Sequence, residues 1–452
     1  MVRKETIDGM LRIVVMIGLL CCAHGACAAS ALIERLEAGQ DQTVVVYGTS
    51  LTAGGAWVSQ LSTSLNGSYT GQLTWVNSGL SGKASNSGVA NLAEEVLAES
   101  PDAVFIEFAM NDAFTAYEPG DIDLGITPAQ SQANLNSMID SILGQNPDCE
   151  IILQTMNPAW DAPNGNQSGS KRPNLATYYQ GYRDVAQTRG LAIVDNNTIW
   201  EKLRSNQLSA FNSYVSDGVH PNAAGYAHLV TPALRHVLGA NNDLALLIDP
   251  NTGRAVLQNQ SPAAIELISY TISSSAGALL TNWKGLAERD LANWYEANPT
   301  SQNLSELNPL GELALQPGAA VDFGNLWNTA GGLDVNLKYQ TPNGVGHLGT
   351  VVYTSLLPEV GAVGDFDADG DVDGRDFLKW QRDCGSTVPQ FSGADGNGNG
   401  LVDAADLVLW QQRYAGAGEL VAATLVVPEP SACALAMKGL ILSVWARNRL
   451  LT

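Results

Sequence analysis

The sequence predicts an α/β domain built on a parallel sheet, followed by an all-β domain and a small helical module. Three observations carry that reading. Five short apolar runs alternate with helix-like stretches between residues 41 and 239, the pattern of βαβ units. From about 240 to 358 the pattern changes to period-two alternation broken by Gly, Pro and Asn, as in paired strands. Within 361–416 an acidic twelve-residue motif occurs twice, 30 residues apart. The chain has 452 residues, room for about three domains. Hydrophobic residues make up 45% and charged residues 15%, a composition that builds packed cores. With 23 Lys+Arg against 45 Asp+Glu, the net charge of −22 leaves no basic face to track phosphates, so nucleic acid is not an expected partner.

The N-terminus carries Arg3, Lys4 and Arg12, then an apolar run from Ile13 to Cys22, then Ala26-Cys27-Ala28. Basic flank, short apolar core and small-x-small site read as a signal peptide, residues 1–28, cut after Ala28. The chain is therefore expected to be exported, to the cell envelope or beyond. Cleavage leaves Cys149, Cys384 and Cys433, an odd set with no obvious pair, so no essential disulfide is expected.

In the first domain, residues 29–239, strands are expected at 43–47, 73–76, 103–108, 151–154 and 191–194. Helices are expected near 86–99, 128–144, 174–189 and 222–238. Chemistry in such a domain gathers at the carboxyl ends of the strands. The first strand ends in Gly48-Thr49-Ser50, a tight turn that presents a hydroxyl nucleophile. The second ends in Asn77-Ser78-Gly79-Leu80-Ser81-Gly82, where a glycine lets a backbone N–H approach a substrate oxygen. The third leads into Asn111, whose amide can donate to a developing oxyanion. Late in the domain comes Asp217-Gly218-Val219-His220. The three-residue spacing lets the carboxylate orient the imidazole while the imidazole faces the serine. His228 and His236 lack an Asp three residues earlier, which singles out His220 as the base.

Ser, Gly, Asn and His in this chain order resemble the SGNH, or GDSL-type, hydrolase family over about residues 41–239. The resemblance implies a flavodoxin-like three-layer fold and hydrolysis of acyl esters, with no cofactor for catalysis. Ser50 is then the nucleophile, His220 the general base and Asp217 its orienter. Gly82 N–H and the Asn111 side chain join Ser50 N–H in the oxyanion hole. Gly79 is the alternative to Gly82, which is preferred because the family's block runs Asn-x-x-x-x-Gly, as Asn77 to Gly82 does here. Thr49 stands where the family usually has Asp.

Residues 240–358 are expected to form a β-sandwich-like accessory domain. Trp283, Trp294, Tyr295 and Trp327 there suit either a sugar platform or core packing.

The repeated motif runs Asp365, Asp367, Asp369, Asp371, Asp373, Asp376 and, in the second copy, Asp395, Asn397, Asn399, Leu401, Asp403, Asp406. Oxygen donors at positions one, three, five, seven, nine and twelve, the seventh of the second copy through the Leu401 carbonyl, wrap a loop around a hard cation, and Gly370 and Gly400 allow the sharp turn. Two structural Ca2+ ions are expected, with Val372 and Val402 making the β contact between the loops. An apolar helix follows each copy. The pair resembles a dockerin, which implies a cohesin-like or cell-surface partner.

At the end, Pro428-Glu429-Pro430 is followed by an apolar stretch and then Arg447 and Arg449. Residues 427–452 resemble a PEP-CTERM sorting tail, which implies exosortase-type processing. Taken together, the sequence points to a secreted serine esterase, with O-acetyl groups on carbohydrate as the leading substrate. A lipase- or thioesterase-type acyl hydrolase, and a surface-binding scaffold with a retired site, are the alternatives.

Overall fold

The computed structural model describes residues 30–163, 166–241, 243–289, 291, 293–358, 364–367, 372–388 and 390–416. The expected signal peptide and sorting tail lie outside these residues, as do Asp369 and Asp371 of the first acidic motif.

Five strands form the first sheet: β1 (Gln42–Gly48), β2 (Leu73–Asn77), β3 (Ala103–Glu107), β4 (Glu150–Thr155) and β5 (Ala192–Asp195). All pairings are parallel, in the order β2-β1-β3-β4-β5. This is the flavodoxin-like order, and its switch point lies between the carboxyl ends of β1 and its neighbours. Strands β1 and β3 are almost wholly buried because helices cover both faces, which is why they read as unbroken apolar runs. The four expected helices are present. Helices at Ala31–Glu37, Ala56–Ser68, Asn196–Asn206 and Leu208–Tyr214 were not legible in the sequence. Ala56–Ser68 is rich in Ser, Asn and Gly and stands by burying Trp57, Val58, Leu61 and Leu65 rather than by propensity.

The second unit contains β6 (Leu244–Ile248), β7 (Arg254–Asn259), β8 (Ile265–Leu267), β9 (Ser269–Ser274), β10 (Tyr295–Glu296), β11 (Asn303–Leu307), β12 (Leu313–Leu315), β13 (Ala320–Asn325), β14 (Val335–Gln340) and β15 (Gly346–Tyr353). Eight of these form one hydrogen-bonded sheet, β10-β11-β9-β14-β15-β6-β7-β13, and β8 pairs with β12 apart from it. The eight-stranded sheet divides into two wings. Strand β15 links its two wings: Gly346–Gly349 pair with β14, and Thr350–Tyr353 pair with β6. A strand that changes partners along its length turns such a corner. The wings meet where Tyr270 of β9 stacks on Phe323 of β13, with ring centroids 5.4 Å apart. Trp283, Trp294 and Trp327 are buried in this core, which settles them as packing residues, while Tyr295 is 58% exposed.

Buried residues of the two units form one contiguous core. His228 Nε2 lies 2.6 Å from the Leu333 carbonyl and His236 Nε2 lies 3.1 Å from that of Leu356. The two histidines set aside as bases therefore tie the first unit to the second.

The acidic module carries helices Gly374–Asp383 and Ala404–Gly416. Its repeats lock reciprocally. Trp380 Nε1 donates to the Asp403 carbonyl at 2.7 Å, and Trp410 Nε1, 30 residues later, donates to the Asp373 carbonyl at 2.9 Å. The expected pairing of Val372 with Val402 is not what forms. Val402 spends both backbone groups on the segment between the repeats, receiving from Gly385 N–H and donating to the Ser386 carbonyl. The module rests on the β unit through Arg413 and Glu288 at 3.0 Å, through Gln390 Oε1 accepting from Gln316 N–H, and through buried Phe391 beneath the Arg289 guanidinium.

Candidate active site

Three strand ends and one late loop converge at the switch point. Ser50 opens the short helix Ser50–Ala53 directly after β1. Thr49 caps that helix, its Oγ1 accepting from Leu51 N–H at 3.2 Å. Thr49 N–H and hydroxyl also donate to Glu107 at 2.7 and 2.9 Å, and Thr52 hydroxyl donates to the same carboxylate at 2.8 Å. Glu107 ends β3 beside Gly48 in the sheet register. A Cβ on Gly48 would stand 2.4 Å from Glu107 Oε1, so only glycine lets the turn close over that carboxylate.

Sequence reasoning passed over Glu107, although a lone acid in the run Ala-Val-Phe-Ile-Glu-Phe was a visible signal. Burial pushes its carboxyl up to about 7, against the hydrogen bonds from Thr52 and Thr49 that favour the anion. Between about pH 4.5 and 7 the folded state therefore holds a proton that the unfolded chain has released. Stability from this group is complete below about pH 4.5 and is lost as pH rises through about 7, by at most about 3 kcal/mol. Urea midpoints measured from pH 4.5 to 7.5 should fall less steeply in Glu107→Gln than in the native chain. Parallel slopes would show that Glu107 does not titrate there.

His220 Nε2 lies 2.8 Å from Ser50 Oγ, and His220 Nδ1 lies 2.6 Å from Asp217 Oδ2. A carboxylate can only accept, so Nδ1 carries the proton and Nε2 is left to accept from the serine. Asp217 Oδ1 accepts from Val219 N–H at 2.9 Å and His220 N–H at 2.8 Å. Partial burial works to raise the Asp217 carboxyl, but these donors and the imidazole outweigh it and hold it below the usual range. Gly218 between them has φ of +89°, and a Cβ there would stand 2.3 Å from the Trp160 carbonyl. The spacing of Asp217 and His220 was legible, but this need for glycine was not, because it depends on a loop from β4.

Gly79 N–H is taken by Asn77 Oδ1 at 3.1 Å. Gly82 sits at φ +76° with open space around its Cα. Among the described residues neither Gly82 N–H nor Ser50 N–H has an acceptor. Asn111 is buried in the short helix Ala109–Asp112 after β3, and its Nδ2 donates to the Lys83 carbonyl at 2.9 Å. Two further acids hold the Gly82 loop. Asp112 accepts from Ser85 N–H at 2.7 Å, and Asp123 accepts from Ala84 and Ser87 N–H at 3.0 and 2.9 Å. All five catalytic candidates, Ser50, Gly82, Asn111, Asp217 and His220, thus lie on loops or short helices at the carboxyl end of the sheet.

Residues 46–228 match the family described as GDSL-like Lipase/Acylhydrolase. The chain is a carboxylic ester hydrolase. Among solved structures, an acetylxylan esterase from Geobacillus stearothermophilus is 22% identical, with 45% of this chain and 96% of that one covered and a TM-score of 0.37. A lipase/acylhydrolase from Enterococcus faecalis is 24% identical, with 44% and 92% covered and a TM-score of 0.34. No curated protein matches the chain in sequence.

Proposed function

We propose that the hydrolase is an exported serine esterase that removes acyl groups, O-acetyl foremost, from carbohydrate. The continuous line from Asp217 through His220 to Ser50, with contacts of 2.6 and 2.8 Å, carries this reading. His220 takes the Ser50 proton as Oγ attacks the ester carbonyl. Ser50 N–H, Gly82 N–H and the second N–H of Asn111 receive the oxyanion, each worth about 3 kcal/mol in such sites. His220 then gives the proton to the departing alkoxide, and water repeats the cycle on the acyl-enzyme. The alcohol leaves on the His220 side, and that side chain is 46% exposed. An open leaving-group side suits a bulky alcohol such as a polysaccharide. The test is acetate release from acetylated xylan compared with hydrolysis of p-nitrophenyl acetate, butyrate and octanoate. Preference for octanoate with no acetate release overturns the carbohydrate reading in favour of a lipase.

The acidic loops are proposed to hold two Ca2+ ions as structural links, and the module to meet a cohesin-like or cell-surface partner. Exosortase-type processing of the tail is part of the same proposal. The donors suit the ion. Asp365, Asp367 and Asp376 bring carboxylate oxygens within 4.8 Å of one another. In the second loop, burial pushes the Asp395 carboxyl up to about 6 against its backbone donors, and Asp406 adds to the rise. Buried neighbouring carboxylates are costly as anions until a hard cation joins them. Asp373, Asn397, Asn399, the Leu401 carbonyl and Asp403 would complete the loops. Calorimetric titration of the calcium-depleted full chain should register two ions, and calcium at a hundredfold over Kd should add about 3 kcal/mol of stability for each ion bound. Asp406→Ala should remove one of the two ions. Absence of binding heat at millimolar calcium refutes the assignment.

A further inference from the structure

Behind the oxyanion amide lies a cation that the reaction as described does not use. Arg172, on the loop after β4, donates from Nε to the Met110 carbonyl at 2.8 Å and from Nη1 to the Ser168 carbonyl at 3.2 Å. Its Nη2 donates to Asn111 Oδ1 at 3.3 Å. Its guanidinium carbon lies 4.7 Å from the centre of the Phe114 ring. Two donations from Thr115, backbone and hydroxyl, to the Lys171 carbonyl fasten the same loop beside it.

These contacts decide which way the Asn111 amide points. Arginine can only donate, so the amide atom facing Arg172 is the oxygen. The Lys83 carbonyl can only accept, so the atom facing it is the nitrogen. With Oδ1 and one N–H claimed, the second N–H is the amide's remaining donor. A flipped amide would set N–H against guanidinium and oxygen against carbonyl.

The charge of Arg172 is also unneutralised. Among the described residues no carboxylate lies within ion-pair distance of it, although it is half-buried. A cation in that setting gains most when negative charge develops nearby, and the oxyanion is where the reaction develops it. The loop reaches the base as well: Asn157 Nδ2 donates to the Val219 carbonyl at 2.8 Å, and Trp160 N–H donates to the Gly218 carbonyl at 3.0 Å. One loop thus spans from the oxyanion amide to the base.

We propose that Arg172 is a positioning residue for ester hydrolysis, fixing the Asn111 amide so that its free N–H faces the oxyanion and placing an unpaired positive charge behind it. The inference rests on the serine-esterase reading of the site.

The test is steady-state hydrolysis of p-nitrophenyl acetate by the full chain. Arg172→Gln should lower kcat about 10- to 100-fold with KM changed less than about twofold. Arg172→Lys, which keeps the charge but not the fork, should recover less than about a third of the lost rate. In an Asn111→Ala background Arg172→Gln should cost less than about threefold, because the group it positions is gone. An equal loss in both backgrounds overturns the proposal, as does a loss confined to KM. Should Arg172→Gln fail to fold, the same cycle run with Arg172→Lys decides, additivity with Asn111→Ala being the refuting result. A chain whose Ser50→Ala variant keeps its activity would instead sink the esterase site itself, and so the two failures are told apart.

Discussion

Ser50→Ala should abolish ester hydrolysis, with kcat falling about 10^5-fold or more while the melting temperature moves by no more than about 2 °C. The size of the loss follows from the site. Ser50 Oγ is the group within 2.8 Å of His220 Nε2, so its removal leaves the imidazole with nothing to activate except water. The fold should tolerate the change. The helix Ser50–Ala53 is capped by Thr49, and Thr49 is held by Glu107, so the hydroxyl of Ser50 does not support the turn. Acetate release from acetylated xylan and hydrolysis of p-nitrophenyl acetate should vanish together. Survival of either in the variant means that another nucleophile does that work.

Asp217→Asn should cost about 10^4-fold in kcat, although it alters one atom. The reason is in the backbone. Oδ1 of residue 217 accepts from both Val219 N–H and His220 N–H. In asparagine the carbonyl oxygen is the atom able to stay there, so the amide nitrogen must occupy the place of Oδ2. It then faces His220 Nδ1, now 2.6 Å from Oδ2, with a donor where a proton already sits. The imidazole must move its proton to Nε2, and Nε2 can no longer accept from Ser50. The loop should keep its shape, with substrate KM little changed. A loss below about tenfold would mean that the carboxylate neither orients the base nor selects its tautomer.

Much of this was legible because the relevant signals are local. Strands β1, β3 and β4 are apolar runs bounded by turn residues, so a window of ten residues suffices to find them. Asp217 and His220 are three apart in sequence, and their contact needs only one turn of chain. The paired acidic loops were visible for the same reason. Gly82 and Gly79, by contrast, could not be separated by local residues alone. The difference between them is that Asn77 Oδ1 claims the N–H of one and leaves the other open. The β unit was recognised as strands, but the link between its two wings was not, because β15 changes partner halfway along its length.

By itself, then, the sequence determined the parallel α/β unit, the order of its candidate nucleophile, oxyanion and base motifs, and the two repeated acidic loops, since each is a pattern of a few consecutive residues. Only the tertiary structure decided what those motifs stand on. Glu107 reaches Thr49 across a separation of 58 residues because β1 and β3 are adjacent in the sheet. Arg172 meets Asn111 across 61 residues because the β4 loop folds back over the end of β3. His228 and His236 serve the contact with the β unit and not the chemistry, a role set by packing more than 100 residues away in the chain. Side-chain type and spacing announce a reactive group, whereas the groups that hold it in place are chosen by which strands become neighbours, and that is a property of the whole fold.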